Sequence, residues 1–157
     1  MSQLTGPILI FPGDSVARHS TPQLTPGTRA LDKDGREHVY IQASGAIATG
    51  APVTASANFV AGSGTAQNPF YRASQSADVK GFVGIAELAF AATQCGFIVE
   101  RGPVVALVPS GVAVGDPVTA GNGALSTTLT NAVRFATVLE AAPTLSGTTQ
   151  LKLVNIN

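Results

Sequence analysis

The stretch SGAIATGAPVTA, residues 44–55, is nearly repeated as SGVAVGDPVTA, residues 110–120. In both, Ser-Gly supplies a turn, because glycine accepts positive φ without steric penalty. A second glycine closes a short link, and Pro52 or Pro117 then fixes φ at the entrance to Val-Thr-Ala. Val and Thr favour the pleated backbone, and proline is tolerated at the first residue of a strand. The phrase is a turn that starts a strand, and it occurs twice.

Working outward, Ser44 and Gly45 match Ser110 and Gly111 at an offset of 66, and Gly50 to Ala55 match Gly115 to Ala120 at 65. Phe82 to Glu87 resemble Phe135 to Glu140 at an offset of 53. The drop of twelve falls in VAGSGTAQNPFYRASQS, a Gly/Ser/Asn-rich run that reads as a surface loop, about residues 58–78, inserted in the first copy. Two copies of one supersecondary unit, residues 39–102 and 103–157, account for the pattern. Strands are expected at HVYIQ, VVALV, GFVGIAEL, GFIVER, RFATVLE and QLKLVNI, with Leu151, Leu153 and Ile156 nearly in step. Helix is a minor possibility only at AELAFAATQ. The expected fold is all-β, a small barrel or sandwich built from two similar tandem units, since neither copy alone would bury much surface.

Residues 1–38 read differently. Eight charges lie between Asp14 and Glu37, against four from Gly102 onward, and Pro7, Pro12, Pro22 and Pro26 block helices and most ladder positions. This is an extended arm and loop whose adhesive element is PILIF. Leu4, Pro7, Ile8, Leu9, Ile10 and Phe11 are candidates to add a strand to a partner's sheet, or to form an edge strand on the chain's own body.

Composition narrows the function. Of 157 residues 45% are hydrophobic but only 11% charged, less than half the usual share of about 25%. Nine Lys/Arg against nine Asp/Glu cannot build the basic patch that phosphate neutralisation needs, so no nucleic-acid partner is expected. No basic amphipathic helix points to a membrane, and PILIF is too short for a signal core or a span. The chain therefore reads as soluble and unsecreted by the usual signal route. Cys95 stands alone, so no intrachain disulfide forms.

Chemistry is sparse. His19 and His38 lack metal-pair spacing, and Cys95 has neither a neighbouring base nor a zinc motif and reads as a small core residue. DKDGRE, residues 32–37, lacks the further ligands of a calcium loop and reads as a charged hairpin tip. Glu87 and Glu140 hold matched places in the two copies and could converge, but the aromatic residues that hold a sugar are scarce. No enzyme, metal or cofactor is expected. Phe70, Tyr71 and Arg72 gather aromatic and cationic groups in one loop, the alternative being a host-adhesion or glycan-binding module. With so few charges, much of the surface must be Ala, Thr, Ser, Gly and Val, a surface that makes sense when covered in an assembly.

LVPSGVAVGDPVTAGNGALSTT, followed by AVRFATVLEAA and TQLKLVNI, resembles the decoration, or cement, proteins of tailed-bacteriophage capsids. The resemblance covers the last third of the chain best and the middle third through the repeat. It implies a β-rich body, often a homotrimer, on the outer capsid of the virion, made in the host cytoplasm. Its partners would be the major capsid protein and further copies of itself, and its role to bridge capsid proteins against the pressure of packaged DNA.

Overall fold

The computed structural model describes residues 8–9, 17–56, 72–75, 82–120, 124–127, 136–145 and 148–157, with the backbone alone at 8–9, 54–56, 72–75, 82–83 and 120. The described residues form strands and no helix. In chain order the strands are β1 (Ile8–Leu9), β2 (Arg18–His19), β3 (Arg29–Leu31), β4 (Glu37–Ala43), β5 (Pro52–Ser56) and β6 (Arg72–Gln75). There follow β7 (Phe82–Ile85), β8 (Cys95–Pro109), β9 (Pro117–Ala120), β10 (Leu125–Ser126), β11 (Ala136–Val138) and β12 (Thr149–Ile156). The protein is all-β. The segment AELAFAATQ, a minor helix candidate by sequence, forms bends and a turn tied back by an isolated bridge between Ile47 and Phe90.

The strands join in one sheet in the order β1-β3-β4-β6-β5-β7-β8-β12-β11-β9-β10, with β2 beside β8. Pairing is antiparallel except at β1–β3 and β4–β6. Among the described residues the sheet ends at β1 and at β10, so it does not close into the single barrel that the sequence allowed. An extra pairing of β4 with β8 brings β4, β6, β5, β7 and β8 into a ring of neighbours within it.

The same pairing pattern occurs twice. In the first turn Ala51 N–H donates to Ala48 C=O, Gly50 N–H to Ala86 C=O, and Ala86 N–H to Ala51 C=O. In the second, Asp116 N–H donates to Ala113 C=O, Gly115 N–H to Val138 C=O, and Val138 N–H to Asp116 C=O. Gly50 and Gly115 have φ of +73° and +91° at the third position of these turns, the place where a type II turn demands positive φ. Pro52 faces Ile85 and Val53 faces Gly84, as Pro117 faces Thr137 and Val118 faces Ala136. Further in, Val39–Ile98, Tyr40–Phe97 and Gln42–Cys95 correspond to Val104–Val154, Val105–Leu153 and Leu107–Leu151.

These registers correct the sequence alignment by one residue. Ala86 matches Val138, an offset of 52 rather than 53, so Glu87 corresponds to Leu139 and not to Glu140. In a strand a one-residue slip moves a side chain to the other face. Seventeen residues separate Ala55 from Ala73, whereas four separate the corresponding Ala120 and Leu125, which places the extra loop of the first half between β5 and β6. Of the loop expected at about residues 58–78, residues 72–75 are instead strand β6, which pairs with β5 and β4, and the rest lies outside the described residues. β8 runs through the expected border at 102/103, so the two halves share a strand.

Period-two alternation builds the cores. Val39, Ile41 and Ala43 point into one cluster with Ile47, Ala51, Val53, Ala86, Phe90 and Ile98. Val104, Ala106 and Val108 point into another with Val112, Val118, Val138, Ala142 and Val154. Each fully buried Val or Ile stabilises by about 1.5–3 kcal/mol. Ile85 and Val99, from first-half strands, also belong to the second cluster and lock the two together.

A third cluster, Ala30, Tyr40, Cys95 and Phe97 with Leu24 against it, lies on the outward side of the β4/β8 pair. Residues 17–31 make it by crossing from β2, which pairs with β8, to β3, which pairs with β4. This strap is pinned midway where Gln23 N–H donates to the Tyr40 hydroxyl at 3.1 Å, and Tyr40 and Phe97 meet edge to face at 5.1 Å. Arg18 anchors its start, its guanidinium 3.8 Å above the Phe90 ring.

Candidate interaction surface

Two features stand out: a charged cluster where the halves join, and an apolar face on the second half. The cluster grows from the hairpin tip between β3 and β4. Asp32 Oδ1 accepts the backbone N–H groups of Asp34 and Arg36, the local bonding that makes Asp a turn residue. Its Oδ2 accepts Arg36 Nε at 2.6 Å and lies 3.0 Å from Nε2 of the buried His38. Asp32 is an acceptor, so His38 Nε2–H donates to it, and no partner meets His38 Nδ1 among the described residues. Arg36 reaches on to Glu87 at 2.6 Å and to the Pro103 carbonyl. Burial alone would raise the Asp32 pKa, but the hydrogen bonds from His38 and Arg36 and from two backbone N–H groups outweigh it and hold the carboxyl far below the usual range. Burial pushes the Arg18 guanidinium down to about 10, against the opposing charge of Glu87.

Every carboxylate here is committed to a cation or an N–H, which is the chemistry of a fastening. Glu140, on the second half, is held instead by Lys152 at 3.0 Å and by Leu153 N–H. Glu87 and Glu140 thus take separate partners on non-corresponding positions and do not form an acid–base pair. Among the described residues no three of His, Cys, Asp and Glu gather to hold a metal.

The second feature is the outward side of β8 and β12. Val105 lies opposite Leu153 and Leu107 opposite Leu151, an aliphatic ladder flanked by Pro103, Pro109, Thr149 and Asn155 and bordered at Leu153 by the Glu140–Lys152 pair. Val105, Leu151 and Leu153 are 45%, 47% and 37% exposed. The corresponding positions of the first half, Tyr40, Cys95 and Phe97, are 1%, 0% and 5% exposed, because the strap covers them. Among the described residues, Val114, Leu139 and Leu145 are also exposed on the second half, against Leu88 on the first.

Leu151, Leu153 and Ile156 are nearly in step along the sequence. The structure separates them: Ile156 and Val154 are buried, and the two leucines face out. The signal was present in the odd numbering of Leu151 and Leu153 against the even numbering of Val154 and Ile156, which period two assigns to opposite faces. Of the interface candidates, Ile8 and Leu9 form β1, in parallel with Ala30 and Leu31 of the chain's own β3. Leu4, Pro7, Ile10 and Phe11 lie outside the described residues, as do Phe70 and Tyr71. Arg72 opens β6, where its backbone is described. Cys95 is a buried thiol in the strap cluster, its pKa pushed up by burial.

No protein-family model matches the chain, and no curated protein matches it closely enough to count as a relative.

Proposed function

We propose that this chain is a structural protein of a virion, a decoration protein that binds the outer surface of a tailed-phage capsid and bridges its major capsid proteins. The observation that carries the reading is the exposed aliphatic ladder of β8 and β12, a surface suited to being covered. The resemblance of residues 107–157 to capsid cement proteins supplies the identity of the cover. Carboxylates spent on internal fastening, and a sheet built twice on one strand, suit a rigid part in an assembly. Assembly as a homotrimer would multiply weak contacts, since linked sites gain avidity without new chemistry.

The test is to mix the purified protein with undecorated capsids, sediment them, and heat them. The protein should co-sediment and raise the temperature at which the shells release DNA. Absence from the pellet, or an unchanged release temperature, overturns the reading.

A further inference from the structure

The layer beneath the strap holds a group that can change charge near neutrality. His38 lies on the strap side of β4, one strand period from Tyr40, and meets the Phe97 ring edge to face at 6.3 Å. Ala30 of β3, the strand that ends the strap, stands opposite it. The residue is fully buried. Its two ring nitrogens are treated unequally. Nε2–H donates to Asp32 Oδ2, while Nδ1 is buried and meets no partner among the described residues.

The charges around this ring already cancel. Asp32 and Glu87 stand against Arg36, which bonds both, and Arg18, which lies in the field of Glu87. Glu37 pairs with Arg101 of β8, Glu100 with Arg29 of β3, and Lys33 with Asp34 at the exposed tip. Burial keeps Tyr40 and Cys95 in their neutral forms, and His19 on β2 is half-exposed. The Asp32 carboxylate is fully engaged, by two backbone N–H groups on Oδ1 and by Arg36 and His38 on Oδ2. A proton on Nδ1 therefore adds an uncompensated charge and a donor without an acceptor, and burial makes both unfavourable.

We propose that His38 makes the strap a proton-sensitive cover: a proton taken up at Nδ1 favours a state in which the strap lifts and water meets the new N–H. The strap is the side that yields. β2 and β3 hold it by two and three residues, Ser20 to Gln23 between them are exposed, and Leu24 packs on the layer only partly buried. On the other side of the ring, β8 contributes to all three buried clusters. Short pairings with few buried side chains open first. Lifting uncovers Tyr40, Cys95 and Phe97, so mild acid gives the first half an open apolar face where the second half has its ladder.

Labelling of Cys95 by dithiodipyridine, which reacts in mild acid, reads the lifted strap on the full chain. Each rate is divided by that of the urea-unfolded chain at the same pH, which removes the titration of the thiol itself. One linked proton should raise this ratio about tenfold between about pH 7.5 and 5.5. Amide exchange localises the change. The N–H groups of Gly27 and Tyr40, bonded to the Tyr40 and Thr28 carbonyls, should lose protection in step, while Val138 N–H in the second half keeps its own. His38→Gln, which retains an N–H toward Asp32, should abolish the rise, and His19→Gln should preserve it. A flat ratio in the native chain, a rise that survives His38→Gln or vanishes with His19→Gln, or equal loss of protection at Val138 overturns the proposal. Where His38→Gln does not fold, His19→Gln decides alone, because the chain has two histidines.

Discussion

Gly50 and Gly115 hold the same place in the two turns but face different surroundings. A Cβ at Gly115 meets nothing within 4 Å, whereas one at Gly50 would lie 2.5 Å from Leu151 Cδ2 and 2.8 Å from Leu107 N. Gly115→Ala should therefore cost only the positive-φ penalty, about 1–2 kcal/mol. Gly50→Ala adds overpacking against the other half and should cost about 3 kcal/mol or more; chemical denaturation of both variants checks the order. Asp32 gives a pH test. Its folded pKa is depressed, so the stability it contributes is present in full above about pH 5 and is lost as pH falls through and below the unfolded value near 4. The urea midpoint should fall between pH 5 and 2, and Asp32→Asn should flatten that fall. At pH 7 the same substitution should destabilise by about 2–3 kcal/mol, because it weakens the pairing of half-buried Arg36 and buried His38.

The strap is the element whose removal is easiest to follow, because it covers the lone thiol. Leu24→Ala thins the cover over Cys95, and thiol labelling under native conditions should speed up several-fold while Gly115→Ala leaves it unchanged. Equal labelling rates in the two variants would mean that Cys95 is reached by some other opening. At this scale the fold was largely legible: turn glycines, prolines at strand entrances and the Asp-Gly tip each have one local solution, and the structure adopts it at β3–β4, β5 and β9. The facing of β12 was harder to read, because Leu151, Leu153, Val154 and Ile156 put apolar residues on both faces and periodicity cannot say which is inside. PVVALVP in β8 is apolar at every position and hides the choice altogether. The strap was invisible for a different reason. Polar, proline-rich residues 17–31 read as loop, and only the register of β2 and β3 reveals that the loop has a floor of aromatic side chains. The candidate surface therefore emerged from comparing two copies of one pattern, a comparison the sequence offered one residue out of register.

For the whole molecule, the sharing of β8, the bond from Leu107 N–H to Gly50 C=O and the entry of Ile85 and Val99 into the second core tie the halves together. Heating should give one unfolding transition, with near- and far-ultraviolet circular dichroism coincident. Ile85→Ala should lower its midpoint through a loss of about 2–4 kcal/mol without splitting it, and two separated transitions would show the halves to be independent. The positions corresponding to Ile85 and Val99 are Thr137 and Asn155, half-buried and polar, so the packing that joins the first half to the second is not offered again on the far side. Between the halves β8 carries a bulge: Glu37 faces Arg101 but His38 faces Val99, leaving Glu100 without an opposite number. Gly102 follows at φ +104°, with Arg36 Cγ 3.1 Å from where its Cβ would stand. A change of direction concentrated at one achiral residue fixes the bearing of the bare face relative to the covered one. Which way the ladder points is then written into the backbone at a residue that lies outside it, and substitutions across the ladder would change its chemistry while its aim stayed constant.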